Sequence, residues 1–335
     1  MPHTPLPLSG IQLPLTAGPY TATVAGVGAT LRELAYDGRP LILGFDADEP
    51  APASHGQILA PWPNRLAQGR YAFDGTQHQL PLDEREPPSA LHGLVAWQTW
   101  TPQPHDDAHG VRLALDLAAR PGYPFALRLL AEYHLDADSG LSARVTVINR
   151  SSRPAPFGLG AHPYLTFGGS IDRCSVQLAA DHCLHPDARM LPDGKPRPAE
   201  GTPHDLRSPR QLTGTVLNHA YTGLHRDSDG LAWARLRAPE GDAVDLWADA
   251  SFGWLQLYTA DHFGRTGLAV EPMTCPPDAF NSGHDVIVLA PGEQRSAAWG
   301  IRVPCPPPTT RPGPPSQAGR PSGKPSPGRT IRERT

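Results

Sequence analysis

Apolar residues fall in short runs of strand length separated by turn dipeptides, and no segment of helix length carries them at a 3.6-residue period. "LRELAYDGRPLILGF" reverses at Asp37-Gly38 and "GRYAFDGTQHQLPL" at Asp74-Gly75. Both are Asp-Gly pairs suited to the positive φ angles of a type I′ turn. "LRLLAEYHLDADSGLSARVTVIN" bends at Asp138-Ser139-Gly140, "AWARLRAPEGDAVDLWAD" around Gly241, and "VIVLAPGEQRSAAWGIRV" at Pro291-Gly292. Such strands run evenly from about residue 20 to 303 without a linker or an exact repeat. They predict an all-β chain, one large antiparallel β-sandwich over residues 1–303. From residue 304 the pattern stops, and ten prolines with six basic residues against one glutamate predict a disordered, Pro-rich basic tail over 304–335.

Composition narrows the function classes. Of 335 residues 39% are hydrophobic and 19% charged, with a formal net charge of −4; removing the tail's +5 leaves the body near −9. That balance gives no electrostatic pull towards nucleic acid. Lys195 and Lys324 are the only lysines, so a phosphate-cradling lysine has few candidates. No apolar run approaches the roughly 18 residues of a membrane span. "MPHTPLPLSG" has neither a charged n-region nor an apolar h-region, and the four cysteines form no C-x-x-C pair. The expectation is a reduced, cytoplasmic protein without membrane or nucleic-acid partners, a monomer or homodimer.

Four stretches place polar groups at strand ends or in loops: "APWPNRLAQGRY", "SALHGLVAW", "GLGAHPYLTF" and "GLAVEPMTCPPDAF". Asn64-Arg65 offers an amide and a planar fork of donors suited to sugar hydroxyls or a carboxylate, or Arg65 is an ordinary surface arginine. His92, before a glycine, is either structural or a ligand to substrate. Glu271 ends the apolar "GLAVEP", where a carboxylate is either ion-paired or poised with a shifted pKa. Gln256 and Tyr258 in "GWLQLYTA" project from one face of a strand. His162, set before a proline in an apolar run, could pack, bind metal or carry a proton. "DHCLHPD" (181–187) suggests a metal site, but structural zinc needs four ligands in defined spacing and no second Cys/His cluster supplies the other half, so no metal is expected. No glycine-rich phosphate loop and no G-x-S-x-G elbow occur.

In this order and spacing, "PWPNRLAQGRYAFDG", "LHG", "AHPY", "LQLYT", "EPMTCPPDAFNSG" and "LAPGEQRSAAWGIRV" resemble the aldose 1-epimerase (galactose mutarotase) family, the last two most like a shorter bacterial subgroup. The resemblance covers about residues 20–303. It implies a galactose mutarotase-like β-sandwich, a free aldose as partner, and no cofactor. It implies sugar binding by Asn64, Arg65, His92 and Gln256, with Tyr164 lining the pocket, and proton transfer by His162 and Glu271. Where the family commonly has an aspartate before a histidine, "VLNHAYTGL" has Asn218 before His219. Asn218 would then tune which sugar is accepted, with Asp205 or Asp229 as candidates to restore the lost charge. Anomer interconversion asks for a base at the anomeric hydroxyl and an acid at the ring oxygen, groups expected on opposite edges of the sugar. The rivals are a glycosidase, which wants two carboxylates where one is convincing, a non-catalytic sugar-binding or sensing protein, and a hexose-phosphate mutarotase.

Overall fold

The Asp-Gly pairs reverse the chain as their conformational freedom allows. In the computed structural model, which describes residues 5–304 and residue 328, Asp37 and Gly38 have φ of 47° and 73°, and Asp74 and Gly75 of 48° and 72°. Each links two antiparallel strands, Thr30–Tyr36 with Arg39–Pro40 and Arg70–Phe73 with Thr76–Gln79. The bends at 138–140 and around Gly241 likewise join Leu127–Asp136 to Gly140–Asn149 and Ala232–Arg237 to Ala243–Ala248. Pro291-Gly292 differs. The chain turns there, with Gly292 at φ 73°, but Ile287–Leu289 pairs with Ala155–Phe157 whereas Gln294–Arg302 enters the largest sheet. A turn is fixed by its own residues; the partners of the strands on either side are not.

Two sheets, one of nine strands and one of eight, carry the fold. In the first, Leu127–Asp136 turns Leu127, Leu129, Ala131, Tyr133 and Leu135 inward at every second position. These pack in one core with Leu246 and Trp299 of the same sheet and with Leu255, Leu257, Leu268 and Val270 of the second. Burying each such leucine contributes about 1.5–3 kcal/mol, which fixes strand register because a slip of one residue would expose the whole row. The fold is therefore all-β and antiparallel, as the chain pattern predicts. The one α-helix among the described residues is Ala279–Ser282, and none is long and apolar enough to cross a membrane.

Residues 5–304 cohere as one unit. The tail expected over 304–335 falls, apart from residues 304 and 328, outside the described residues. Cys174, Cys183 and Cys275 are buried and free.

Candidate active site

The eight-stranded sheet brings the polar residues together through its register. Its middle runs through Asn218–Leu224, Trp254–Tyr258 and Leu268–Met273 to the short segments Gly160–Ala161 and Tyr164–Leu165. Gly160 lies opposite Met273 and Tyr164 opposite Ala269, two pairings of one register. Continuing it between them sets His162 across from Glu271. Gln256 opposes Glu271 and Ala220 opposes Gln256, while Tyr258 opposes both Asn218 and Ala269. Directly opposed residues of an antiparallel ladder point to one face. Ala220, Gln256, Glu271 and His162 therefore form one row, and Asn218, Tyr258, Ala269 and Tyr164 the next.

Glu271 sits within its strand rather than at the end. All six residues of Leu268–Met273 are buried, and Pro272 continues the ladder opposite Leu255. The Val270 N–H donates to the Pro163 carbonyl at 3.0 Å, so residue 272 turns its missing N–H to the same side, where the 160–165 segment is interrupted at His162-Pro163. The backbone of His162 bonds elsewhere: its N–H donates to the Gln57 carbonyl at 3.1 Å and its carbonyl accepts the Gly56 N–H at 2.9 Å.

His162 Nε2 and Glu271 Oε1 lie 3.3 Å apart, with residue exposures of 5% and 2%. The His162 ring stacks on Tyr164 with centroids 4.9 Å apart and meets the edge of His92 at 5.1 Å. Tyr164 Oη donates to the Ala53 carbonyl, and its ring packs against His55. Asn64 and His92 both adopt the left-handed region, φ 58° and 61°. Each holds the other: the His92 N–H donates to the Asn64 carbonyl and the Asn64 N–H to His92 Nδ1. Such strain in non-glycine residues persists where surrounding structure enforces it, and it gathers at functional sites. Arg65 clasps both oxygens of Glu84, at 2.8 and 2.7 Å. Gln256 Nε2 donates to Asn218 Oδ1 at 2.6 Å.

Burial raises the Glu271 carboxyl to about 8, against the opposing pull of the Arg65 charge. Burial lowers the His162 imidazole well below its ordinary value, and His92 and His55 push the same way. His92 falls to about 3 through burial and then Arg65, and His55 to about 4 through burial. Glu271 Oε2, His162 Nδ1 and Gln256 Oε1 are buried without hydrogen-bond partners. Buried polar atoms are nearly always satisfied, so these orphans mark places for ligand or water.

The cleft measures about 340 Å³, within the roughly 300–1,000 Å³ of small-molecule sites. Asn64, Arg65, His92, His162, Tyr164, Asn218 and Glu271 all line it. Gln256, 4% exposed, lies in an adjoining hollow that shares Asn64, Arg65 and Asn218 with the cleft. The acid–base geometry differs from the sequence-based expectation, because His162 and Glu271 touch rather than flank a sugar from opposite edges. Neither Asp205, ion-paired with Arg207, nor Asp229 lines the cleft. Glu84, Met190, Tyr258, His262 and Phe263 also line it. Glu84 sits in the charge-rich "LDEREPP", which gives it no distinguishing signal. His55 carries one: the same His-Gly pair that marks His92-Gly93.

The expectation that "DHCLHPD" lacks partner ligands holds within the sequence but not in space. His185 of that stretch lies with His204 and His219, one nitrogen of each within 4.8 Å of the others.

A family model described as Aldose 1-epimerase matches residues 12–302. The protein YihR of Escherichia coli (strain K12), which carries the description uncharacterized, is 35% identical over 90% of this chain and 96% of its own length. Galactose mutarotase of Rattus norvegicus is 33% identical over 71% of this chain and 75% of its own. A crystal structure of a GalM/aldose epimerase homologue from C. elegans superposes with a TM-score of 0.77 at 21% identity, covering 88% of this chain and 99% of that one. A galactose mutarotase-like protein from Clostridium acetobutylicum gives 0.77 at 19% identity, over 88% and 95%.

Proposed function

Because this chain belongs to the aldose 1-epimerase family, we propose that it is an isomerase interconverting the α and β anomers of a free aldose, with Glu271 and His162 as the proton-transfer pair. The observation that carries this is the 3.3 Å contact between His162 Nε2 and Glu271 Oε1 on the buried floor of the cleft. The anomeric hydroxyl oxygen and the ring oxygen are bonded to the same carbon, so an acid and a base standing side by side can serve both.

As a carboxylate, Glu271 takes the proton of the anomeric hydroxyl while the His162 imidazolium gives its proton to the ring oxygen. The bond between ring oxygen and anomeric carbon breaks, leaving the open-chain aldehyde. Rotation about the bond between the first two carbons presents the other aldehyde face, and closure runs the transfers in reverse. The proton count is conserved and no cofactor enters. Positioned acid or base groups each contribute about 10²–10⁴-fold. Asn64, Arg65, His92, Tyr164, Asn218 and Gln256 bind and orient hydroxyls in this scheme.

A glycosidase would need a second available carboxylate, and Glu84 is held on both oxygens by Arg65. A non-catalytic sugar-binding protein would use the same polar groups. Polarimetry on freshly dissolved α-D-glucose and α-D-galactose separates them: an isomerase speeds relaxation to the anomeric equilibrium, and a binding module leaves the uncatalysed rate unchanged. The proposal includes a cytoplasmic chain acting as monomer or homodimer.

A further inference from the structure

A second group of imidazoles stands apart from the proton-transfer pair. His185 follows the Ala180–Leu184 strand, His204 lies in the loop after Arg197–Pro198, and His219 is the second residue of Asn218–Leu224. Leu184 opposes Ala220, so one further step of that register sets His185 across from His219. The loop bearing His204 is tied to the Ala180–Leu184 strand and to the strand before it, Ser175–Leu178: the Ala199 N–H donates to the Asp181 carbonyl and the Leu178 N–H to the Leu206 carbonyl. The ring centroids lie 4.1 Å (His204–His219), 4.8 Å (His185–His204) and 5.0 Å (His185–His219) apart.

We propose that His185, His204 and His219 bind a divalent transition-metal cation of the zinc class through three imidazole nitrogens, with a fourth position left for water or an exogenous ligand.

The donor set selects the ion. Three neutral nitrogens suit zinc, cobalt, nickel or copper, whereas magnesium and calcium require oxygen ligands, and no carboxylate belongs to the cluster. The Asp193 carboxylate, close enough to influence His219, is engaged by Arg197. An anion site is disfavoured, because it would require adjacent, half-buried rings to carry like charges. His204 Nδ1 is buried without a hydrogen-bond partner. His219 Nδ1 accepts the Asn218 N–H at 3.0 Å, so the ring is neutral, and an ion bound through Nδ1 would take the place of that bond. A tetrahedral ion with bonds of about 2.0–2.1 Å sets its ligands roughly 3.4 Å apart, so the 4.8 Å spread closes by small rotations of the three rings. His185 lines the hollow beside the cleft, which gives an ion a way in.

The test uses the full untagged chain, stripped with a chelator and titrated with Co²⁺ and then Zn²⁺. One equivalent of Co²⁺ should bind and show the visible bands of a four-coordinate complex, which Zn²⁺ then abolishes. His185→Gln combined with His204→Gln should weaken binding by at least about 100-fold, while His182→Gln, at an exposed neighbour outside the cluster, should bind as the parent does. Should the double variant fail to fold, sub-stoichiometric Co²⁺ on the parent chain should shift the imidazole proton resonances of these three histidines and spare those of His225. Absence of a saturable one-equivalent site, unchanged affinity in the folded double variant, or paramagnetic shifts centred on other residues would overturn the proposal.

Discussion

A carboxyl and an imidazole in contact hold their protons jointly, and the useful state of the Glu271–His162 pair is the one with a single proton between them. Burial disfavours the charged form of each, so the resting pair is a neutral carboxylic acid beside a neutral imidazole. Passing the proton across the 3.3 Å contact gives the carboxylate and imidazolium that the proposed ring opening would use. Activity should therefore fail when the pair gains a second proton or loses its only one. We expect kcat/KM for anomer interconversion to be bell-shaped, with an alkaline limb near the Glu271 value of about 8 and an acid limb well below the ordinary imidazole value of 6.5. Glu271→Gln keeps the shape and cannot accept the proton, so kcat should fall by about 10²–10⁴ with little change in KM, and the alkaline limb should vanish. At Asn218 the side-chain carbonyl is already engaged by Gln256, so its amide N–H groups remain to face substrate. Asn218→Asp removes those donors while keeping the Gln256 bond. It should shift kcat/KM unequally, by about 5- to 100-fold, between sugars differing at one hydroxyl, since an unpaired buried oxygen costs about 1–3 kcal/mol. An equal effect on glucose, galactose and a pentose would return Asn218 to a structural role.

The row that carries His162 and Glu271 is held in place by the backbone of neighbouring segments. Gly56 donates its N–H to the His162 carbonyl at φ 68°, and a Cβ there would lie 2.1 Å from the Leu31 carbonyl oxygen. Gly56→Ala should therefore displace the His162 backbone, costing more than about 2 kcal/mol in urea denaturation and lowering kcat with it. Gly75→Ala is the matched comparison. Its φ of 72° is equally left-handed, but the site is open, so it should cost only about 1 kcal/mol and leave the rate alone. The same contrast explains what the chain pattern could reveal. Asp37-Gly38 and Asp74-Gly75 are readable because a two-residue turn depends on the two residues in it. Pro291-Gly292 misleads because nothing local says that its flanking strands join different sheets. Motif resemblance brings His162 and Glu271 under suspicion as a pair. Their direct opposition depends on a register set by Gly160–Met273 and Tyr164–Ala269, contacts more than a hundred residues apart. Glu84 and the His185–His204–His219 group are hidden for the same reason: each acquires its meaning from residues that only the folded sheet brings near.

For the molecule as a whole, burying three imidazoles and a carboxyl makes stability a function of pH with two opposed parts. His55 and His92 are held at about 4 and about 3, and His162 well below 6.5, so between those values and 6.5 the unfolded chain binds protons that the folded one refuses. Stability then rises with pH across that window and is lost as pH falls through it, by an amount on the order of several kcal/mol from pH 6.5 to 4. Glu271 acts the other way. With its carboxyl raised from 4.5 to about 8, the folded chain keeps a proton that the unfolded one has released, and stability declines as pH rises between those values. Three groups outweigh one below 6.5, and above it only Glu271 of these four still titrates, so the melting temperature should peak near pH 6.5 and fall towards pH 8. Glu271→Gln removes the descending part alone. The variant should match or exceed the parent at pH 8 and lose stability more steeply than the parent between pH 6.5 and 4.5, because its buried imidazoles are unchanged and the opposing Glu271 contribution is gone. Calorimetry of both chains from pH 4 to 9 reads this directly. A parent whose stability is level between pH 6.5 and 8, or a variant that declines there equally, would mean that Glu271 does not carry a proton to neutral pH inside the fold, and the one-proton account of the pair would fail with it.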